Sequence, residues 1–175
     1  MGNVDSYAEV ADRFATVARQ YCSVVESAAT LDRTELLLRI YRILPKLIDE
    51  AISLPQVDTS DDDQTVEEMP RVSVRQSGDE WSHLYNLLKE KLGDWDLYWQ
   101  VFDPTTDREA ICGTLADDIA DIYRDLRRGL VLHELPSCPS ADVIWDWRLH
   151  YYFHWGQHAI EALFTIHERL RGSLE

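Results

Sequence analysis

Basic residues are scarce in this chain: 17 Lys and Arg stand against 32 Asp and Glu, a net charge of −15. That excess repels phosphate backbones and anionic lipid, so neither nucleic acid nor a membrane is expected as a direct partner. Glycine and proline are also few, 7 and 6, too few for a turn-rich β protein. Cys22, Cys112 and Cys138 are odd in number, scattered and without a C-x-x-C pair, which reads as reduced thiols in a cytosol. No apolar run reaches the roughly 18 residues that a transmembrane helix needs. The N-terminus lacks the basic and apolar regions of a signal peptide, and the expected location is cytoplasmic. Internal repeats, a glycine-rich phosphate loop, G-x-S-x-G and H-E-x-x-H are all absent, so no motif assigns a reaction.

What is present points to helices. At 175 residues the chain suits a single domain over 1–175 with a sizeable core. From Val4 to Ala29, apolar residues recur at three and four, an amphipathic helix. Asp32, with Glu35 three residues on, caps a second helix through Ile52, and Pro45 inside it predicts a kink or break after Leu44. Leu54 to Pro70 is acidic and bounded by prolines, the composition of a mobile loop, while Arg71 to Gln76 alternates like a short extended piece. Ser77 and Glu80 form a capping box ahead of Trp81, Leu84, Leu88 and Leu92, and Gly93 closes that helix. The aromatic stretch 94–104 fits no regular element but is too apolar to stand free of the bundle. Thr106 and Glu109 cap a helix whose stripe runs Ile111, Leu115, Ile119, Ile122, Leu126 and Leu130. The expected fold is therefore all-α, a single up-and-down bundle of about five helices with an acidic mobile loop near 54–70.

The last helix, Asp142 to Arg171, organises the rest. On a helical wheel Trp145, Leu149, Tyr152, Gly156, Ala159, Ile160, Leu163, His167 and Leu170 form the core face. His150, His154 and His158 form a row at i, i+4, i+8 on roughly the opposite side, flanked by Trp147, Tyr151 and Trp155. A helix apolar nearly all round is covered on two sides, which half-buries the histidines.

Imidazoles four residues apart stand about 6 Å apart at Cβ and can share one ion. His154 and His158 with Glu161, and secondarily His150, are thus candidate ligands for a divalent metal ion, and no other cofactor is indicated. The ordinary alternative is a polar face hydrogen-bonded to its neighbours. Asp117, Asp118, Asp121 and Asp125 lie on one arc of the preceding helix, and like charges at i, i+4 cost about 0.2–0.5 kcal/mol per pair. Ion pairs from Asp121 to Arg124 and from Asp125 to Arg128 would offset this on a solvated face. The sharper reading turns the aspartates toward the histidine row across a cleft, as ligand-binding residues or general bases together with Trp155. The ordinary reading of Trp145, Trp147, Trp155, Trp95 and Trp99 alike is core or interface packing.

Three stretches carry a resemblance: Tyr98-Trp99-Gln100-Val101-Phe102-Asp103-Pro104, then Leu115 to Leu126, then His154-Trp155-Gly156-Gln157-His158 with Ala162-Leu163. They resemble the signature stretches of the bacterial domain-of-unknown-function family numbered 5063. The resemblance implies an all-helical cytoplasmic bacterial domain without an assigned activity. More locally, His150-x-x-x-His154-x-Gly156-Gln157 resembles the late helix of DinB-like metal-binding bundles, which take a third histidine from an earlier helix; no histidine precedes His83 here.

Three functions follow as expectations. The first is a binding or adaptor module whose Asp/His cleft and aromatic surface recognise a ligand, a protein partner or a second copy of the chain. The second is a metal-dependent hydrolase or transferase using the His154/His158 row. The third is an acidic decoy for a basic partner. The first two need the imidazoles and carboxylates to face one crevice.

Overall fold

The computed structural model describes residues 6–57, 74–101, 103 and 105–172. Helix α1 spans Tyr7–Glu26 and opens on a capping box, in which Ser6 accepts from Glu9 N–H while the Glu9 carboxylate accepts from Ser6 N–H. Helix α2, Arg33–Ile52, is capped by Asp32 through Glu35 N–H at 2.9 Å. Pro45 lies within an unbroken α2, contrary to the expected break. Apolar burial explains this: Leu36, Leu37, Ile40, Ile43, Leu44 and Leu47 keep one phase across the proline and all enter the core. Replacing exposed Pro45 with Ala restores a backbone donor and removes the ring clash. Pro45→Ala should therefore raise stability by up to about 3 kcal/mol, read by urea denaturation.

The acidic loop expected at 54–70 lies outside the described residues from position 58 onward. Of the extended piece expected at 71–76, the first three residues are likewise outside them. From Val74 the chain is helical, in α3 (Val74–Leu92), so that helix begins upstream of the Ser77 cap. After a 3₁₀ turn, Gly93–Trp95, comes an antiparallel hairpin of β1 (Leu97–Val101) and β2 (Ala110–Thr114), with Tyr98 opposite Gly113 and Trp99 opposite Cys112. The hairpin corrects the helix expected from Thr106. Ile111 shares helical phase with Leu115, but 110–114 pairs with β1, and Thr114 is the actual cap of α4 (Leu115–Glu134).

The last rod is one continuous helical run of α5 (Ser140–His150), a π turn (Tyr151–Trp155) and α6 (Gly156–Gly172). Its core face is not the expected stripe. Val143, Ile144, Trp147, Tyr151, Trp155, Ala159, Ala162 and Ile166 are buried, whereas Tyr152 and Ile160 are exposed. Where a helix is apolar all round, its wheel does not fix the phase, and the π turn adds a residue midway. α1, α2, α4 and the last rod enclose the core, with Leu88 and Leu92 of α3 and Tyr98 of β1 added at the edge. Tyr21 pins α1 to α4 by donating to the Ile119 carbonyl at 3.1 Å. The protein is thus an all-α bundle with one two-stranded sheet among the described residues. All three cysteines are free. No helix among the described residues is long and apolar enough to cross a membrane.

Candidate metal centre

The N-terminus of α4 is held in place from two directions. Thr114 Oγ1 accepts from Asp117 N–H at 3.3 Å, and buried Asp96 accepts from Ala116 N–H through its carboxylate (2.8 Å) and from Leu115 N–H through its carbonyl (2.9 Å). Asp117 and Asp118 in the first turn then sit where the helix dipole favours negative charge. Asp121 and Asp125 follow on the same side of the helix. Asp118, Asp121 and Asp125 are only 2%, 8% and 7% exposed, so the solvated acidic face is not what forms. Buried carboxylates need partners.

The facing rod supplies them. In the π turn and just beyond it, His154 and His158 project toward α4, their ring centroids 5.0 Å apart. The π turn needs Gly156, because a Cβ there would lie 2.3 Å from the Tyr151 carbonyl oxygen. π turns recur at functional sites. Here the added residue takes His150 out of the row. His150 Nε2 lies 2.8 Å from Arg128 Nη1 and its Nδ1 lies 2.8 Å from the Asp146 carbonyl. A guanidinium can only donate, so His150 Nε2 accepts and its proton sits on Nδ1. Arg128 also lies 2.7 Å from the Asp146 carboxylate, which makes this a separate cluster and replaces the expected Asp125–Arg128 pair.

His154 Nδ1 stands 2.7 Å from Asp125 Oδ2, and His158 Nδ1 stands 2.8 Å from Asp118 Oδ1. An ionised carboxylate only accepts, so each Nδ1 carries a proton, and in the neutral ring it is Nε2 that keeps the lone pair. Both Nε2 atoms face one oxygen, Asp121 Oδ2, at 3.4 Å from His154 and 3.7 Å from His158. The other oxygen of Asp121 is engaged behind it: the Trp81 indole donates to Oδ1 at 2.7 Å and Arg124 lies 3.1 Å away. One donor atom from each of Asp121, His154 and His158 falls within 4.8 Å of the other two.

Glu161 takes a more distant place. Its carboxylate accepts from Gln157 at 2.8 Å and lies 3.4 Å from the Tyr98 hydroxyl oxygen, and it groups with Asp118 and His158. Since Asp118 already bonds the Nδ1 of His158, that second set is closed on itself. Trp155 is not in the cleft: fully buried, it stacks edge-on against Tyr151 and tilts against Phe14. Sequence reasoning missed Tyr98, whose hydroxyl donates to Asp118 Oδ2 at 2.7 Å, and Trp81. Gly113 makes the Tyr98 position available, for a Cβ there would lie 2.6 Å from the ring. The signals for Tyr98 were its place in the first of the three stretches that carry the family resemblance and the requirement that so apolar a segment be pinned to the bundle.

Burial raises Asp118, and hydrogen bonds from His158 and Tyr98 bring it back only as far as about 6. For His158, burial opposes the charged ring, but the carboxylates of Asp118, Asp121 and Asp117 outweigh it and raise the pKa. Burial, then Asp121, raises Asp117 as well. In each case the folded chain keeps its proton to a higher pH than the unfolded chain. These groups therefore stabilise the metal-free protein on the acid side, and that contribution is lost as pH rises through about 6 and above. With chelator present, the melting temperature should fall between about pH 5 and about pH 8, and His158→Gln should flatten the slope. A transition-metal ion needs neutral imidazoles, so its stabilisation should grow over the same interval.

Against known families, residues 5–170 match the family model described as Domain of unknown function (DUF5063). The chain belongs to that family. A similar solved structure is protein BF1032 from Bacteroides fragilis, with a TM-score of 0.71 and 23% identity over 89% of this chain and 88% of that one. At that identity the likeness speaks for the fold alone. No curated protein matches the chain. The DUF5063 match takes in every residue of the His/Asp centre, but its description assigns no activity to them.

Proposed function

We propose that this DUF5063 chain is a binding module for one divalent transition-metal ion, held by His154 Nε2, His158 Nε2 and Asp121 Oδ2. The observation that carries the proposal is the orientation of the two rings. Each Nδ1 is bonded to its own buried carboxylate, Asp125 or Asp118, so both free nitrogens converge on a third carboxylate. Carboxylate–histidine pairs of this kind fix the tautomer and raise the basicity of metal-ligating imidazoles. Wherever the rings are neutral and no ion is present, their lone pairs face an anion at 3.4 and 3.7 Å, which is unfavourable, and the raised pKa of His158 is the metal-free protein's response to those carboxylates. An ion roughly 2.0–2.2 Å from each donor turns that repulsion into coordination.

Two imidazoles and one carboxylate suit zinc, iron, manganese, cobalt or nickel. Three protein donors leave further coordination positions for water or a small ligand, in keeping with a binding role. The test is metal analysis of the full-length protein after chelator treatment and reloading with zinc or cobalt. One ion per chain is expected, with a cobalt spectrum showing nitrogen ligation. Clean protein after reloading, or equal retention by the double variant His154→Asn/His158→Gln, rules the reading out.

A further inference from the structure

Exposed large apolar side chains are concentrated on one side of the molecule. Trp99 is 73% exposed, Phe164 69% and Ile160 57%, and Leu97 and Tyr152 are exposed beside them. They border a groove of about 900 Å³ between the hairpin and the last rod. All five residues of β1 line this groove and none of β2 does, so the groove runs along the edge of β1 that β2 does not use.

Backbone polarity at that edge can be worked out. The Asp96 carbonyl points to the β2 side, toward Leu115 N–H, while the Leu97 carbonyl points away from β2 and accepts from Arg169 Nη2 at 2.6 Å. Alternation along an antiparallel strand then turns the N–H and C=O groups of Trp99 and Val101 into the groove. A two-stranded sheet with an edge that no strand among the described residues pairs with is a template for a third strand. The electrostatics select its chemistry. Glu168 at the far end is paired with Arg171 at 2.5 Å, and Arg169 in the lining is engaged by the Leu97 carbonyl. Glu161 has no cation at ion-pair distance among the described residues, and the chain as a whole carries −15.

We propose that this groove receives an extended segment of a partner protein, paired with the free edge of β1, bearing apolar side chains at alternate positions and lysine or arginine between them. Its backbone bonds Trp99 and Val101. Its apolar side chains seat between Trp99 and the Ile160–Phe164 face, and its cations approach Glu161. This is independent of whether the metal centre is loaded.

The probe is a synthetic peptide of about seven residues, enough to span β1, alternating Lys with Val or Leu. Its affinity for the full chain is read by fluorescence of exposed Trp99 and by calorimetry. Two isomers, N-methylated on alternate residues in one register or the other, separate backbone pairing from apolar adhesion. One isomer should bind about tenfold or more weakly and the other should match the parent. Trp99→Pro should weaken binding beyond Trp99→Ala, since only proline also removes the N–H, and a peptide with Glu in place of Lys should fail to bind. Equal binding of both isomers, or of a scrambled sequence, overturns the proposal. So does a dimer of the chain itself that Trp99→Pro returns to monomer, since that assigns the edge to a second copy.

Discussion

His158→Gln should lower the affinity for zinc or cobalt by more than about 100-fold, because outer-sphere losses alone reach 10–100-fold and here a ligand goes. Glutamine can still donate to Asp118, so the buried carboxylate is not left bare, and a cooperative melting transition of the chelated variant would show that the fold is intact. Asp118→Asn should fall between the two. It leaves His158 Nε2 in place but removes the anion that holds Nδ1, 2.8 Å away, and a 10–100-fold loss is expected. Asp125→Asn should do the same through His154. A series in which the Asp118 and Asp125 variants bind as tightly as wild type while His158→Gln binds nothing would remove the orienting role. A series with no effect at any position would remove the centre itself. Calorimetric titration at fixed pH reads all of these.

The geometry behind that series was partly legible in the sequence, and the reason it was only partly so is physical. His154 and His158 stay neighbours because the π turn ends at Trp155 and the helix is regular from Gly156 on, and the aspartates share an arc because α4 has no break. The three-histidine row did not survive, because a π turn inside the rod is invisible to a 3.6-residue period and moves His150 into the Arg128–Asp146 cluster. The hairpin was missed because its strands are five residues each and their pairing depends on a contact far along the chain, Tyr98 on Asp118. Ile111 happened to fall in phase with Leu115 and was absorbed into a helix. The division of labour among the aspartates was equally out of reach: Asp118 and Asp125 orient rings while Asp121 faces both lone pairs, a difference set by which side of α4 meets the last rod.

Trp155 carried two readings in the sequence, and its substitution should have the largest effect on stability. It read as core packing and, in the sharper alternative, as a ligand-binding candidate beside the histidines. The fold buries it completely, 4.8 Å from the Tyr151 ring centroid and 6.5 Å from that of Phe14. Trp155→Ala should therefore cost about 3–5 kcal/mol, the range for emptying a large aromatic site in a core. Set against a total of roughly 5–15 kcal/mol, that is enough to lower the melting temperature by about 6–20 °C. The metal affinity of the molecules that remain folded should stay within a few-fold, since the indole touches no donor atom. Trp155→Phe provides the contrast. Among the described residues the buried indole N–H of Trp155 has no hydrogen-bond partner, and such an orphan costs about 1–3 kcal/mol. Phenylalanine removes that cost along with part of the packed surface, so the two terms oppose each other and the net change should be under about 2 kcal/mol. Equal losses for Ala and Phe in urea denaturation would mean that the indole nitrogen has a partner and that the tryptophan is held by more than packing.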